Sequence, residues 1–213
     1  MKVGTDSVVL GAWTDAASCR SAIDVGAGCG LLALMLAQRF PDLHVTAVEI
    51  DPDAASDCAA NVSASPFADR IDVVCADIFD TILPPADLII CNPPFFTESL
   101  RSPDASRADA RHEGALGVES LLNLAGKMLT TDGSIAFVAP AQRDSEISFT
   151  LAVNRFTSGR VLRMRQRDGR PLVRTFRQMW RRRGPTQCGE LTVNSADGSR
   201  TPAYAELTRD FYL

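Results

Sequence analysis

Four consecutive residues, Asn92, Pro93, Pro94 and Phe95, have the most specific chemistry in the sequence. Adjacent prolines fix the backbone torsion φ, so the Asn92 side chain and the Pro93 carbonyl are held in one orientation. An amino group conjugated to an aromatic ring is a poor nucleophile because its lone pair is delocalised. If the Asn92 side-chain oxygen and the Pro93 carbonyl oxygen both accept hydrogen bonds from its N–H groups, the nitrogen can direct its lone pair at an electrophile. Phe95 offers a ring on which such a substrate stacks, and the alternative for the tetrad is a rigid turn.

A glycine-rich segment reads Asp-Val-Gly-Ala-Gly-Cys-Gly over residues 24–30. The glycines Gly26, Gly28 and Gly30 allow a tight turn and a close approach of the backbone to a ligand, and the start of the following helix offers free N–H groups. The segment therefore predicts a nucleotide-like cofactor. The fingerprint of nicotinamide dinucleotide sites would require a small residue at position 31, where Leu31 stands, so it argues against NAD.

Glu49 ends the second predicted strand, in the segment Val-Glu-Ile-Asp of residues 48–51. It follows the first glycine at roughly the spacing of ribose-binding acids in nucleotide-binding folds. A carboxylate there can accept the protons of both ribose hydroxyls. The alternative is a solvated acid at the end of a strand, and the glycine turn favours the ribose site.

Apolar runs of strand length alternate with periodic segments of helix length. The predicted strands cover residues 22–25, 45–50, 71–76, 87–91 and 134–139, and the predicted helices cover 31–40, 53–62 and 120–129. Such a βαβ series predicts an α/β fold with a mostly parallel sheet, whose ligands bind at the carboxyl ends of the strands. Residues 160–167 and 171–180 flank Asp168-Gly169 and predict an antiparallel hairpin at the sheet edge. We expect one domain over residues 1–213.

Composition argues against several classes of protein. No apolar run approaches the roughly 20 residues that cross a bilayer, and the chain does not start like a secretory signal. The six cysteines form no C-x-x-C pair, and the chain has only two histidines, so a structural zinc site is not expected. We expect a soluble, cytoplasmic, monomeric protein without a metal.

The formal net charge of -4 conceals a strongly basic region. Residues 155–183 contain eleven arginines and a single acid, Asp168. A local basic patch attracts a polyanion such as RNA even when the whole protein is acidic. The predicted RNA-binding residues alternate on one face of the hairpin and continue the track after it: Arg163, Arg165, Arg167, Arg181, Arg182 and Arg183. The alternative is an edge strand that charge protects from aggregation.

The glycine-rich segment resembles the first motif of class I S-adenosylmethionine-dependent methyltransferases, whose sheet is Rossmann-like. By this resemblance S-adenosylmethionine is the cofactor, Asp24 lies near its methionine end, and Asp77 accepts a hydrogen bond from its adenine amino group, with Ile78 packing nearby. The tetrad resembles the N-P-P-[YF] motif of amino-group methyltransferases, which act on base amines or on a glutamine of release factors. Phe95 replaces the commoner tyrosine, which keeps stacking but removes a hydroxyl.

Three further segments are similar to the bacterial tRNA(Val) (adenine(37)-N6)-methyltransferase family: residues 1–13, residues 107–111 with Glu113, and residues 204–213. This resemblance implies N6-methylation of an adenine beside the anticodon of a tRNA. It also matches Lys2, Gly4 and Thr5 to a segment that closes over the cofactor. Members of the family carry an arm before this segment, and we expect the arm to be missing here. Three alternatives stay open: a protein-glutamine N5-methyltransferase, another amino-group RNA methyltransferase, and a non-catalytic RNA-binding module.

Overall fold

A computed structural model of the chain describes residues 4–93 and 117–212. Its strands are β1 (Ser21–Val25), β2 (His44–Glu49), β3 (Ile71–Cys75), β4 (Ala86–Cys91), β5 (Leu129–Pro140), β6 (Ser158–Arg167), β7 (Leu172–Trp180) and β8 (Thr186–Asn194). Its α-helices are α1 (Thr5–Trp13), α2 (Leu31–Arg39), α3 (Pro52–Ser63), α4 (Val118–Met128), α5 (Asp144–Val153) and α6 (Pro202–Thr208).

The eight strands form one sheet in the order β3-β2-β1-β4-β5-β7-β6-β8. Strands β1 to β5 pair in parallel, and β7 is antiparallel to both β5 and β6. The predicted α/β class and the antiparallel hairpin are therefore confirmed. The hairpin is not at the edge, however, because β8 pairs in parallel with β6 and forms the outer strand.

Local sequence explains where the helices around the cofactor turn begin. Asp51 caps α3 by accepting hydrogen bonds from the backbone N–H groups of Asp53 and Ala54, and Pro52 occupies the first turn. Helix α2 begins directly after Gly30 and ends at Arg39, two residues before Pro41. Both helices start at the carboxyl end of a strand, which is the edge where the predicted site residues lie.

The apolar core lies on both faces of the sheet. Along β4, Leu88 and Ile90 pack on one face with residues of α1 and α2, while Ile89 and Cys91 pack on the other with residues of α4 and α5. This alternation follows from the two-residue period of a strand. With both faces covered by helices, the carboxyl edge of the parallel strands is the part of the sheet left to bind ligands.

The sequence pattern did not predict four of these elements: α1, α5, β8 and α6. Strand β8 has no apolar run, since residues 186–190 are all exposed, and a strand without alternation gives no periodic signal. Strand β5 starts five residues before the prediction, because the backbone is already extended at Leu129, directly after α4. Among the described helices none is long and apolar enough to span a membrane.

Candidate active site

The predicted acids and Asn92 come together because they lie at or after the ends of neighbouring parallel strands. Val25 at the end of β1 is in register with Val48 of β2 and Cys91 of β4, and Glu49 is in register with Cys75 of β3. The side chains that follow these positions share one edge of the sheet, with roughly 4.8 Å between adjacent strands. The sheet thus gathers acids from β1, β2 and the β3 loop at the edge where Asn92 follows β4.

The glycine turn needs glycine for two different reasons. Gly26, Gly28 and Gly30 have φ values of 68°, 56° and 83°, a region that other residues rarely adopt. A Cβ at Gly30 would lie 2.7 Å from Cys58 Sγ of α3, whereas a Cβ at Gly26 would meet no atom within 4 Å. Gly30 is therefore required by packing against α3, and Gly26 borders open space that a ligand can approach.

Glu49 connects the glycine turn to the cofactor edge. Its side chain is 8% exposed, and its two oxygens accept hydrogen bonds from the backbone N–H groups of Gly28 (2.7 Å) and Asp51 (3.0 Å). Each carboxylate oxygen has a second lone pair, so the group can still accept protons from a pair of adjacent hydroxyls. The backbone fixes this acceptor before any ligand arrives.

Asp24 is a buried acid with one unsatisfied oxygen. Its Oδ2 accepts a hydrogen bond from the backbone N–H of Ala33 at 3.1 Å, and its Oδ1 has no partner among the described residues. Burial raises the pKa of Asp24 to about 7; the Ala33 N–H lowers this pKa, and the nearby Glu49 charge raises it. This oxygen can therefore accept a hydrogen bond from a ligand.

Two isoleucines lie next to the acids of this edge. Ile78 is buried and follows Asp77, whose Oδ1 accepts a hydrogen bond from the Phe79 N–H at 2.9 Å. Ile50 follows Glu49 and is 50% exposed, although it is large and apolar. Ile50 was not predicted as a site residue, and its sequence signal is an apolar residue directly after a strand-end acid. Its exposed side chain offers an apolar surface beside Glu49.

Asn92 lies directly after β4 and is held by the first turn of α1. Its Nδ2 donates a hydrogen bond to Ser7 Oγ at 2.8 Å, so Nδ2 and not the amide oxygen contacts this turn. Gly4 caps α1 and Thr5 begins it, which brings both predicted cofactor residues to the same turn as Ser7. Pro93 follows within the described chain.

Several predicted residues lie outside the described residues. These are Lys2, Pro94, Phe95, residues 107–111 and Glu113. Among the described residues, no group of three or more histidine, cysteine, aspartate or glutamate side chains could hold a metal ion.

The arginines nearest the active edge are partly used by ion pairs. On β6, Arg163 Nε lies 3.4 Å from Asp144 Oδ2, and Arg165 pairs with Glu190 of β8. Arg167, at the end of β6, is exposed and makes no ion pair with a described residue. Arg163, Arg165 and Arg167 alternate along β6, as predicted, but the first two form ion pairs with carboxylates.

The second arginine group lies at the other end of the sheet. Arg181, Arg182 and Arg183 follow β7, whose last residue Trp180 is in register with Ser158 at the start of β6. Nine strand residues span about 30 Å, so this group is that far from Arg167. The predicted continuous track is therefore wrong, because the hairpin returns the chain to the end where β6 begins.

In this second arginine group, the side chains of Arg181 and Arg182 contact the rest of the protein. The Arg181 guanidinium lies 5.0 Å from the centre of the Phe156 ring and donates a hydrogen bond to the Gly126 carbonyl at 3.1 Å. Arg182 lies 5.3 Å from the centre of the Trp180 ring. The three exposed arginines form a separate basic surface at the amino ends of the parallel strands.

Comparisons with known proteins identify relatives over the whole chain. The profile of the methyltransferase small domain family matches residues 3–160. A protein of Porphyromonas gingivalis named tRNA1(Val) (adenine(37)-N6)-methyltransferase is 40% identical over 228 residues, which cover 100% of this chain and 89% of that protein. A protein of the same name from Yersinia enterocolitica is 36% identical over 217 residues, covering 100% of this chain and 86% of that protein.

Solved structures share the fold. A protein from Agrobacterium tumefaciens, described as a predicted O-methyltransferase, has a TM-score of 0.76 at 20% identity, and the match covers 96% of each chain. Human N-acetylserotonin methyltransferase, solved in complex with SAM, has a TM-score of 0.52 at 18% identity, covering 81% of this chain and 50% of that chain. At such identities the likeness concerns the fold alone, and it confirms the predicted Rossmann-like sheet.

Proposed function

We propose that this chain, which belongs to the methyltransferase small domain family and to the family of the tRNA1(Val) (adenine(37)-N6)-methyltransferases, methylates N6 of an adenine in tRNA. The adenine is at position 37, beside the anticodon. The cofactor is S-adenosylmethionine. The observation that carries the proposal is the position of Asn92 after β4, on the edge that also holds Asp24 and Glu49. The relatives' names supply the substrate.

The described residues fit this cofactor, which supplies an electrophilic methyl group when bound. The unpartnered Oδ1 of Asp24 can accept a hydrogen bond from the ammonium of the methionine part. Glu49 has free lone pairs for the two ribose hydroxyls, and Asp77 lies after the adjacent strand, where it can accept a hydrogen bond from the adenine amino group. Ile50 and Ile78 provide apolar contacts for the adenine ring.

Asn92 and Pro93 act on the nucleophile. The amide oxygen of Asn92 and the carbonyl oxygen of Pro93 accept hydrogen bonds from the two N–H groups of the adenine amine, so the nitrogen can pyramidalise and its lone pair is no longer delocalised into the ring. No base needs to remove a proton first, because the cationic nitrogen formed by in-line attack loses a proton afterwards. Orientation is therefore the main contribution of the chain to the rate.

We assign tRNA binding to the arginines at the active edge. Arg163, Arg165 and Arg167 lie on β6 beside this edge, and phosphate contacts from arginine position a nucleic acid without reading its sequence. An anticodon-loop base is already partly unstacked, which lowers the cost of moving it into a pocket. Arg181, Arg182 and Arg183 are a second candidate RNA surface at the distant end.

We further propose that the enzyme works as a single-domain monomer in the cytoplasm without a metal.

Methyl transfer to total tRNA tests the proposal. The protein is incubated with S-adenosylmethionine labelled on the methyl group, and the tRNA is digested to nucleosides for chromatography. The label should appear in N6-methyladenosine, and a valine tRNA transcript with guanine in place of adenine 37 should take up none. Label in another base, or in a release factor offered as the acceptor, would favour the other amine methyltransferases. Cofactor binding by calorimetry without transfer would favour a non-catalytic module.

A further inference from the structure

Ser7 contacts the amide that the proposed reaction depends on. It belongs to the first turn of α1, 85 residues before Asn92, and its Oγ accepts the 2.8 Å hydrogen bond from Asn92 Nδ2. The pair is partly buried. No feature of the sequence connects these two residues.

The turn that holds Ser7 is itself fixed to the sheet. Asp6 Oδ2 lies 2.6 Å from Arg174 Nε of β7, and both side chains are mostly buried, with exposures of 25% and 33%. The next residues of α1, Val8, Val9 and Leu10, are buried in the core. Ser7 Oγ therefore has a defined position relative to both β7 and the end of β4.

A side-chain amide has two different ends, and only one of them serves the reaction. The oxygen accepts a proton from the substrate amine, whereas the NH₂ group would place its own protons against those of the amine. Rotation by 180° about the last side-chain torsion exchanges the two ends, since that torsion is roughly two-fold. In the structure the NH₂ end is bound by Ser7, so the oxygen is the end that remains for the substrate amine.

We propose that Ser7 is a positioning residue that holds the Asn92 amide with Oδ1 toward the amino nitrogen to be methylated, an inference that rests on the proposed function. Loss of the hydroxyl leaves the amide without its partner on α1. The side chain is then less well fixed, and its acceptor oxygen is less well placed toward the amine. The turnover number should fall while the binding of the cofactor is unchanged.

Three variants test this role: Ser7→Ala, Ser7→Thr, and Ser18→Ala as a matched control on an exposed serine before β1. For Ser7→Ala we expect kcat to fall roughly 3- to 10-fold, as for the loss of one hydrogen bond. The cofactor Kd, the KM for tRNA and the melting temperature should stay at the values of the unmodified protein. Ser7→Thr keeps a hydroxyl and should restore kcat, and Ser18→Ala should have no effect.

Three results would overturn the proposal. They are an unchanged kcat in Ser7→Ala, an equal loss in Ser7→Thr, and a cofactor Kd that weakens by the same factor as kcat. The second would indicate a packing role, and the third a role toward the cofactor.

A second measurement needs neither cofactor nor tRNA. The side-chain NH₂ signals of Asn92 in a ¹⁵N–¹H spectrum are assigned by their absence in Asn92→Ala. They should shift in Ser7→Ala and stay near their original position in Ser7→Thr. If these signals respond to Ser7 but no tRNA is methylated, the proposed function fails and the contact stands. If tRNA is methylated but neither the signals nor kcat respond to Ser7, the inference fails and the function stands.

Discussion

The two halves of the active edge hold their charged side chains in different ways. In the cofactor half, Asp24 and Glu49 accept hydrogen bonds from backbone N–H groups of the glycine turn and the helix starts. In the arginine half, Arg163 and Arg165 are held by the carboxylates of Asp144 and Glu190. The first arrangement leaves the acids with acceptor lone pairs for a ligand, and the second neutralises the positive charge of the arginines.

This difference separates a preorganised site from a surface that must rearrange. A carboxylate bound by N–H groups keeps free lone pairs for a ligand, so binding requires no bond to break. An arginine in an ion pair must exchange its acid for a phosphate, which reduces the gain from the contact. The count of arginines in the sequence therefore overstates the charge available to RNA, whereas the acids of the cofactor half are not bound to any arginine or lysine among the described residues.

The largest effect that can break this view is expected at Asn92. In Asn92→Ala, methyl transfer should fall by roughly 10²- to 10³-fold, as when one preorganised hydrogen-bonding group is removed from an active site. The cofactor Kd should not change, because the cofactor contacts come from the other strands. Single-turnover transfer and calorimetry measure the two quantities. Unchanged transfer would remove the proposed role of the amide.

Removal of the Glu49 carboxylate should weaken the cofactor half selectively. In Glu49→Ala we expect the Kd for S-adenosylmethionine to rise about 10- to 100-fold, because hydrogen bonds to a charged group and two backbone contacts of the turn are lost together. Asp57→Ala, an exposed acid on α3, is the matched control for the loss of one negative charge. Calorimetry on both variants checks this. Equal losses would mean that general charge, and not the ribose contact, attracts the cofactor.

Asp24 should make both stability and cofactor binding depend on pH. Its pKa is raised to about 7 by burial, so the folded protein without cofactor binds this proton more tightly than the unfolded chain does. Stability of that form should therefore fall as the pH rises from the unfolded pKa, near 4, through about 7. A ligand cation favours the carboxylate, so cofactor affinity should rise about tenfold between pH 6 and pH 8 through this group.

Asp24→Asn is the matched control for this pH dependence. The amide keeps the size of the side chain but does not titrate over this range. Melting temperatures and cofactor Kd values are measured for both proteins across the range, and the contribution of Asp24 is the difference between the two curves. Parallel curves would show that Asp24 is not the titrating group.

The sequence was enough to place the acids and Asn92 at one edge of the sheet, for a topological reason. Glu49 and Asn92 each end or follow an apolar run, and in a parallel sheet the ends of such runs meet at one edge. Position along the chain was therefore enough to place them together. The glycine pattern added the turn, and the structure separated the packing role of Gly30 from the open side of Gly26.

The contacts that the sequence did not predict are those between distant elements without a periodic signal. The Ser7–Asn92 bond depends on α1 packing against the end of β4, and the Arg165–Glu190 pair depends on β8, whose first residues are all exposed. The alternation of residues along β6 predicted that the arginines share one face of the strand, but it did not predict the acids with which they pair. The hairpin also reverses the direction of the chain, so Arg181, which follows β7, lies at the opposite end of the sheet from Arg167.

The smallest expected effect distinguishes free arginines from paired ones. Arg167 and Arg170 are exposed and make no ion pairs with described residues, whereas Arg163 and Arg165 do. Replacing the first pair with glutamine should lower the slope of log Kd for tRNA against log salt by up to about 2, since each phosphate contact contributes about 0.9. The second pair should change the slope by less than half as much. Equal changes would mean that the ion pairs open when RNA binds, and the contrast between the two halves of the edge would then hold only for the unbound protein.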